Sequence, residues 1–201
     1  MSEKGKVVLA YSGGLDTSCL LKYLQDEGYD VVSCIAALGQ PSEERKDIDA
    51  VNEKAKMLGA VAAYDVDIRD EFCEDFVAKA IFANGMYENK YPLLSALSRP
   101  AICRHLVKVA QAEGAVAIAH GCTGKGNDQV RFELECKALD PTLEILGPVR
   151  SWELTTRSSE IEYAQSHGIP VDATKENPYS IDENGWGRAI EWGVLENPWN
   201  S

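Results

Sequence analysis

Histidine is scarce in this chain and cysteine is unpatterned. The three histidines, His105, His120 and His167, form no H-E-x-x-H or comparable set. None of the six cysteines (Cys19, Cys34, Cys73, Cys103, Cys122 and Cys136) stands in a C-x-x-C pair or beside a histidine at zinc spacing. A metal held by a His/Cys cluster is therefore not expected, and without a secretory signal the even number of thiols argues little for disulfides. Positive charge is in deficit too. Twenty Lys+Arg against 32 Asp+Glu give a net charge of -12, which speaks against a nucleic-acid partner, because duplex binding relies on Lys and Arg neutralising phosphates. Long apolar runs are missing: the longest uncharged stretch, Val31 to Ser42, is 12 residues, too short to span a bilayer. The residues before Asp16 hold no signal-peptide core. A cytoplasmic chain without membrane contact is the expectation.

What is present is a globular composition. Of 201 residues, 45% are hydrophobic and 26% charged, enough for one sizeable core. Strand and helix patterns alternate. Lys6 to Ala10 reads as a buried strand, and Thr17, Leu20, Leu21 and Leu24 mark one helix face closed by Gly28. Val31 to Leu38 is a second strand. Ile48, Val51, Ala55 and Leu58 line a second helix ended by Gly59, and Ala60 to Val66 is strand three. Phe72, Cys73, Phe76, Val77 and Ala80 make the stripe of a third helix. The pattern breaks from Tyr87 to Pro100, resumes as a helix through Ile102, Leu106, Val109 and Ala110, and continues with strand four, Ala115 to Ala119. Val130, Leu134 and Ala138 lie on the next helix, Leu143 to Pro148 is a candidate fifth strand, and Ser158 to His167 a last helix. Such alternation predicts an α/β, Rossmann-like, doubly wound parallel sheet of about five strands. The near-continuous apolar strands fit a sheet covered on both faces. After Pro170 the text reads as an irregular C-terminal extension, giving a domain over 1–168 and an extension over 169–201.

In open α/β sheets ligands bind outside the carboxyl ends of the strands, where the two motifs lie. The first is Ser12-Gly13-Gly14-Leu15-Asp16-Thr17-Ser18, after strand one. Two glycines permit a sharp turn and close backbone approach. The helix amides behind them, with three hydroxyls, form an anion site that needs no lysine. It matches neither G-x-x-x-x-G-K-[ST] nor G-x-G-x-x-G. A plain strand-to-helix turn capped by Asp16 or Thr17 is the simpler reading. The second motif, His120 to Glu133 after strand four, carries Asn127, Asp128 and Arg131: an amide that can both donate and accept, an acceptor for an ammonium, and a fork for a carboxylate. Asn127 and Arg131 stand one helical turn apart. A loop whose polar groups only cap and solvate is the alternative. Cys122 has no acid–base partner marking it as a nucleophile.

The loop SGGLDTS after VVLAY resembles the PP-loop of ATP pyrophosphatases, adenylating enzymes that release pyrophosphate whole. With GQ at 39–40, YPLLSALSRP at 91–100, HGCTGKGNDQVRFEL at 120–134 and PYSIDENGWGRAIEWGVLENP at 178–198, the chain is similar to argininosuccinate synthases over essentially its whole length. That resemblance implies ATP and Mg²⁺ as cofactors and citrulline and aspartate as small-molecule substrates. Citrulline's ureido oxygen attacks the α-phosphate, giving citrullyl-AMP and pyrophosphate, and the aspartate amine then displaces AMP. It implies an ATP cradle at Ala10, Tyr11, Ser12, Gly13, Gly14, Leu15, Asp16, Thr17 and Ser18, with Ala36 and Gly121 near the adenosine. It gives citrulline to Tyr91, Asn127, Arg131 and Ser180, and aspartate to Ser95, Thr123, Asn127 and Asp128. Asp16 beside phosphates is read as lying near a cation or capping the helix. No catalytic base and no direct metal ligand are assigned.

Three positions depart from the family pattern. Ser95 replaces the usual Thr and keeps the hydroxyl. Ala189 replaces a usual Ser that contacts citrulline, at a cost of ~1–3 kcal/mol if a substrate polar group goes unpaired. Gly185 replaces a usual apolar residue. Family members are also considerably longer, so the resemblance implies a further domain, with more citrulline contacts and a homo-oligomerisation arm, beyond the residues matched here. Two alternatives stay open: another PP-loop adenylating enzyme with a different acceptor, and a non-catalytic ATP-binding or interaction domain. Trp186, Trp192 and Trp199 read as packing surface for an absent partner domain, and the acidic runs Glu43-Glu44 and Glu71 to Asp75 as solvated faces.

Overall fold

A computed structural model describes residues 3–39, 44–124, 126–154, 156–170, 180–191, 197 and 199. Five parallel strands form the sheet: β1 (Lys6–Ala10), β2 (Asp30–Ala37), β3 (Ala62–Asp67), β4 (Ala117–Ala119) and β5 (Glu144–Leu146), in the order β3-β2-β1-β4-β5. Alternate residues of β1 feed opposite faces. Val7 and Leu9 join Leu20, Leu21 and Leu24 of helix α1 (Leu15–Asp26) and Ala164 of α7 (Arg157–Ser166) in one core. Val8 joins Leu106, Val107 and Ala110 of α5 (Leu94–Glu113) and Phe132 of α6 (Asp128–Leu139) in the other. Covering both faces explains why the strands carry unbroken apolar runs; each buried Leu or Val contributes about 1.5–3 kcal/mol relative to exposure. The expected α/β parallel sheet of five strands is what forms. Among the described residues no helix is long and apolar enough to cross a membrane.

The glycines read as helix stops behave so. Gly28 and Gly59 take φ +91° and +94° just past α1 and past α2 (Glu44–Met57), the left-handed turn that ends a helix at least cost. Elsewhere the helices depart from the periodicity. The third helical segment is one run of three pieces, α3 (Arg69–Glu71), a π-helical turn Phe72–Val77, and α4 (Ala78–Phe82). The π turn adds a residue per turn, so buried Phe72 and Val77 stand five apart and Cys73 faces out. On α6 the buried residues are Phe132 and Cys136, whereas Val130 and Leu134 are 48% and 67% exposed; the expected apolar face points to solvent.

The stretch read as a break up to Pro100 is already helical from Leu94, with Pro100 inside α5. Two local features start it early. Leu93 takes φ +60° as the turn into the helix, and the Ser95 amide donates to the Tyr91 phenol oxygen at 2.8 Å, a side-chain cap from a residue type not counted among helix caps. The C-terminal extension is also more ordered than its composition suggests. β6 (Ser180–Asn184) and β7 (Gly187–Glu191) pair as an antiparallel hairpin. Its tip docks on the loop after β2, the Gly185 amide donating to the Leu38 carbonyl at 2.8 Å. A Cβ at Gly185 would lie 3.1 Å from that carbonyl oxygen, so the glycine permits the close approach. Trp186 packs with Leu38, Ile68 and Phe72, and its indole N–H donates to the Pro92 carbonyl at 2.6 Å; it fills this domain's own core. Trp192 lies outside the described residues, and Trp199 is exposed.

Candidate functional site

Chain order runs outward from β1 to β3 on one side and resumes at β4 on the other. The loops after β1 and β4 therefore flank the crevice opened by that reversal. They lie close together: a Cβ at Gly121 would stand in ordinary van der Waals contact, 3.5 Å from Thr17 Cγ2 and 3.9 Å from Leu20.

Gly13 turns the first loop at φ +78°, where an added Cβ would overlap Val51 of α2 at 2.6 Å. Gly14 is the N-cap residue of α1 and makes no side-chain cap bond. Neither Asp16 nor Thr17 occupies the cap position expected in the simpler reading; Asp16 lies exposed in the first turn. That turn presents the amides every helix leaves without an intrahelical acceptor. Ser12 Oγ and Thr17 Oγ1 stand 3.0 Å apart at the loop's open side, and the Gly14 amide reaches Ser12 Oγ at 3.4 Å. The third hydroxyl differs. Ser18 is fully buried and pairs with the Tyr11 phenol at 3.0 Å, so these two side chains brace the loop from beneath. Burial pushes the Tyr11 phenol above its ordinary pKa, with the Ser18 bond pulling the other way. Ala36 sits at the carboxyl end of β2, partly buried beside Leu38. One cation reaches the loop from afar: Lys54 of α2 donates to the Gly13 carbonyl at 3.0 Å. Loop periodicity gave no sign of it.

At the other end, four of the expected amino-acid ligands fall into one chain of contacts. Ser95 Oγ donates to Asp182 of β6 at 2.5 Å. Arg99 reaches Asp182 at 2.7 Å and Asp128 at 2.8 Å, and Arg131 reaches Asp128 at 2.6 Å. Tyr91 joins through the Ser95 amide. Arg99 and Asp182 were missed in the sequence, where Arg99 falls in the stretch read as a break and Asp182 in the irregular extension. The Arg99 side chain is 18% exposed. Burial works against its charge, but the Asp182 and Asp128 carboxylates outweigh that and hold the guanidinium above its ordinary pKa. Thr123 and Asn127 are exposed at the loop surface, and Asn127 makes no side-chain cap bond. Ser180 opens β6, but its side chain lies outside the described residues. Ala189 pairs directly with Asp182 across the hairpin.

The two ends share the segment from His120 to Asp128. His120 is 1% exposed and stacks on Phe132. Its Nδ1 accepts from the Cys122 amide at 3.2 Å, which places the neutral ring's proton on Nε2, 3.8 Å from Glu133 Oε1. Burial lowers its pKa to about 4, Glu133 opposing and Arg150 reinforcing the shift. The ring is neutral at pH 7 and holds the loop. Burial and the Asp128 carboxylate push the Cys122 thiol up to about 12, although Arg99 and Arg150 oppose, so it is no nucleophile at neutral pH.

Residues 6–170 match the model of the arginosuccinate synthase N-terminal HUP domain. The chain belongs to the argininosuccinate synthase family. It is 57% identical over 199 residues to an argininosuccinate synthase of Bacillus pumilus, covering 99% of this chain and 48% of that protein. With those of Geobacillus thermodenitrificans and Bacillus subtilis it shares 56% and 55%, over 96% and 99% of this chain and 47% and 48% of theirs. The chain thus spans about half the length of these relatives. A solved structure described as a "predicted subunit of tRNA methyltransferase" from Methanocaldococcus jannaschii superposes with a TM-score of 0.49 at 16% identity, over 80% of this chain and 74% of its own, a likeness too slight to bear on function.

Proposed function

We propose that this chain is the nucleotide-binding half of an ATP-dependent ligase that joins citrulline to aspartate in arginine biosynthesis, in the cytoplasm, with release of AMP and pyrophosphate. The observation that carries the reading is the Gly13–Gly14 turn after β1, whose Gly14 amide reaches the Ser12–Thr17 hydroxyl pair where α1 begins. A loop of amides and hydroxyls suits a leaving group that is held rather than transferred. In this reading residues 10–18 take the triphosphate, its β- and γ-phosphates on Gly13 to Ser18, and Ala36 and Gly121 border the adenosine. Tyr91, Asn127, Arg131 and Ser180 take citrulline, and Ser95, Thr123, Asn127 and Asp128 take aspartate.

The chemistry asked of these residues is orientation plus stabilisation of charge at the α-phosphate. Nothing in the crevice is assigned as general base; the one buried histidine, His120, is kept as a neutral structural ring. Among the described residues no group of three or more His, Cys, Asp or Glu side chains could hold a metal. Mg²⁺ would then ride on the phosphates and water with Asp16 as the nearby carboxylate, an arrangement typical of that ion, and when bound it would neutralise phosphate charge. The domain is taken as 1–168, with 169–201 leading toward the further half present in the relatives, and the homo-oligomer belongs to that longer protein.

One observation favours a second reading, a nucleotide-binding chain without ligation. Asp128 is already paired with this chain's own Arg99 and Ser95 with its Asp182, and Arg131 pairs with Asp128 itself. Calorimetric titration with MgATP, then citrulline, then aspartate separates the two. Binding of all three supports the ligase reading, nucleotide binding alone the second, and no nucleotide binding overturns both.

A further inference from the structure

We infer that Lys54 is a positioning residue for the phosphate loop: it fixes the Gly13–Gly14 peptide so that the N–H, not the C=O, faces the anion. This rests on the nucleotide reading above. In a trans peptide the C=O and N–H point in opposite directions. The Gly13 carbonyl is held by Lys54 Nζ at 3.0 Å, on the α2 side. The Gly14 amide correspondingly points toward Ser12 Oγ, 3.4 Å away, beside the Ser12–Thr17 hydroxyl pair. The amide that adds to the anion site is thus the far end of the peptide whose near end the lysine grips.

The arrangement needs a device of this kind. Flipping that peptide plane rotates ψ of Gly13 and φ of Gly14, and neither residue has a Cβ to resist it. The flipped form would present a carbonyl oxygen to a polyphosphate, exchanging attraction for repulsion. Ser12 and Thr17 bond each other and cannot hold the plane from the α2 side. Helix α2 supplies the hold with two residues on one face, three apart. Val51 fills the space a side chain at 13 would need, and Lys54 grips its carbonyl. Forty-one positions separate Lys54 from Gly13, so the loop borrows from the fold the lysine its own motif lacks, and uses it behind the peptide.

The test titrates inorganic pyrophosphate, with Mg²⁺, into the chain and into Lys54→Met, Lys54→Gln and Lys54→Arg, while nitrogen-15 spectra follow the Gly14 amide. Lys54→Met is expected to weaken binding about tenfold and abolish the Gly14 shift, with Lys54→Arg within about threefold of the parent. Lys54→Gln, a donor without charge, falls between. The deficit persists at ~0.5 M salt, where attraction from a distant charge is screened. A Lys54→Met chain that binds as the parent does overturns the inference while leaving the nucleotide reading intact. So does a deficit that vanishes in salt, or one that Lys54→Arg fails to rescue. If Lys54→Met does not fold, Lys54→Gln decides: weaker pyrophosphate binding with a reduced Gly14 shift supports the inference, and parent-like affinity overturns it. A parent chain that does not bind pyrophosphate overturns both.

Discussion

At the β1 end of the crevice the groups offered to a ligand are backbone amides and two hydroxyls, turned by glycines and braced by buried Tyr11 and Ser18. At the β6–α6 end they are charged side chains, Arg99, Asp128, Arg131 and Asp182, joined to one another within 2.8 Å. The first region keeps its geometry because glycine turns, helix packing and the Lys54 contact fix it, and an anion entering it exchanges only the Ser12–Thr17 and Gly14–Ser12 contacts. The second region satisfies its own charges, so an amino acid entering it must replace contacts that already exist. A backbone site can stand ready within half of a protein, whereas a site of paired side chains needs a ligand strong enough to reopen it.

The largest expected effect falls on the charged region. Arg99→Met leaves two carboxylates without their shared partner and should cost about 3 kcal/mol, lowering the melting temperature by ~6–12 °C, while pyrophosphate affinity stays within twofold. Arg99→Lys falls between, since a single ammonium cannot fork onto both carboxylates. Loss of pyrophosphate binding in Arg99→Met would show that the two ends are not independent.

Nearly as large is an acid effect at the segment joining them. The folded pKa of His120 is lowered to about 4 from 6.5, so the unfolded chain binds the proton first as pH falls. The stabilisation is complete above pH ~6.5 and is lost as pH falls toward ~4, by about 3 kcal/mol. Urea denaturation at pH 7 and pH 4.5 should show a steeper loss for the parent than for His120→Phe; equal slopes would remove the buried ring from the account.

Smaller still is the cost at the glycine turn. Gly13→Ala must hold φ +78° against Val51, a loss of about 2 kcal/mol, and should reduce pyrophosphate binding more than tenfold. Least of all in energy, Thr17→Val removes one hydroxyl from the loop's open side and should weaken pyrophosphate about fivefold with an unchanged melting temperature. If it weakened citrulline equally, the division of labour between the two ends would be wrong.

The centre of the sheet was legible because β1, β2 and β4 carry successive buried residues on both faces, and a doubly buried strand cannot disguise its apolar run, whereas β3 and β5 are only partly buried. Gly28 and Gly59 were legible because a left-handed helix stop has few other solutions. The phosphate loop was readable for the same reason: its chemistry lies in contiguous backbone. What escaped depends on partners distant in the chain or on unusual local geometry. Tyr91 caps α5 in place of a standard cap, Pro100 hides inside that helix, and the π turn at Phe72–Val77 breaks the helical period. Asn184-Gly185 did carry a hairpin signal, lost among the polar residues around it. Arg99 meets Asp182 across 83 positions and Lys54 meets Gly13 across 41, and no periodicity encodes such pairs.

The most direct measurement is a crystal structure of this chain grown with a non-hydrolysable ATP analogue and Mg²⁺. The account predicts the β- and γ-phosphates on the amides of Gly14 to Thr17 and the hydroxyls of Ser12 and Thr17, with the Gly13 carbonyl still turned to Lys54. A nucleotide bound elsewhere, or phosphates met by the Gly13 carbonyl, would contradict it.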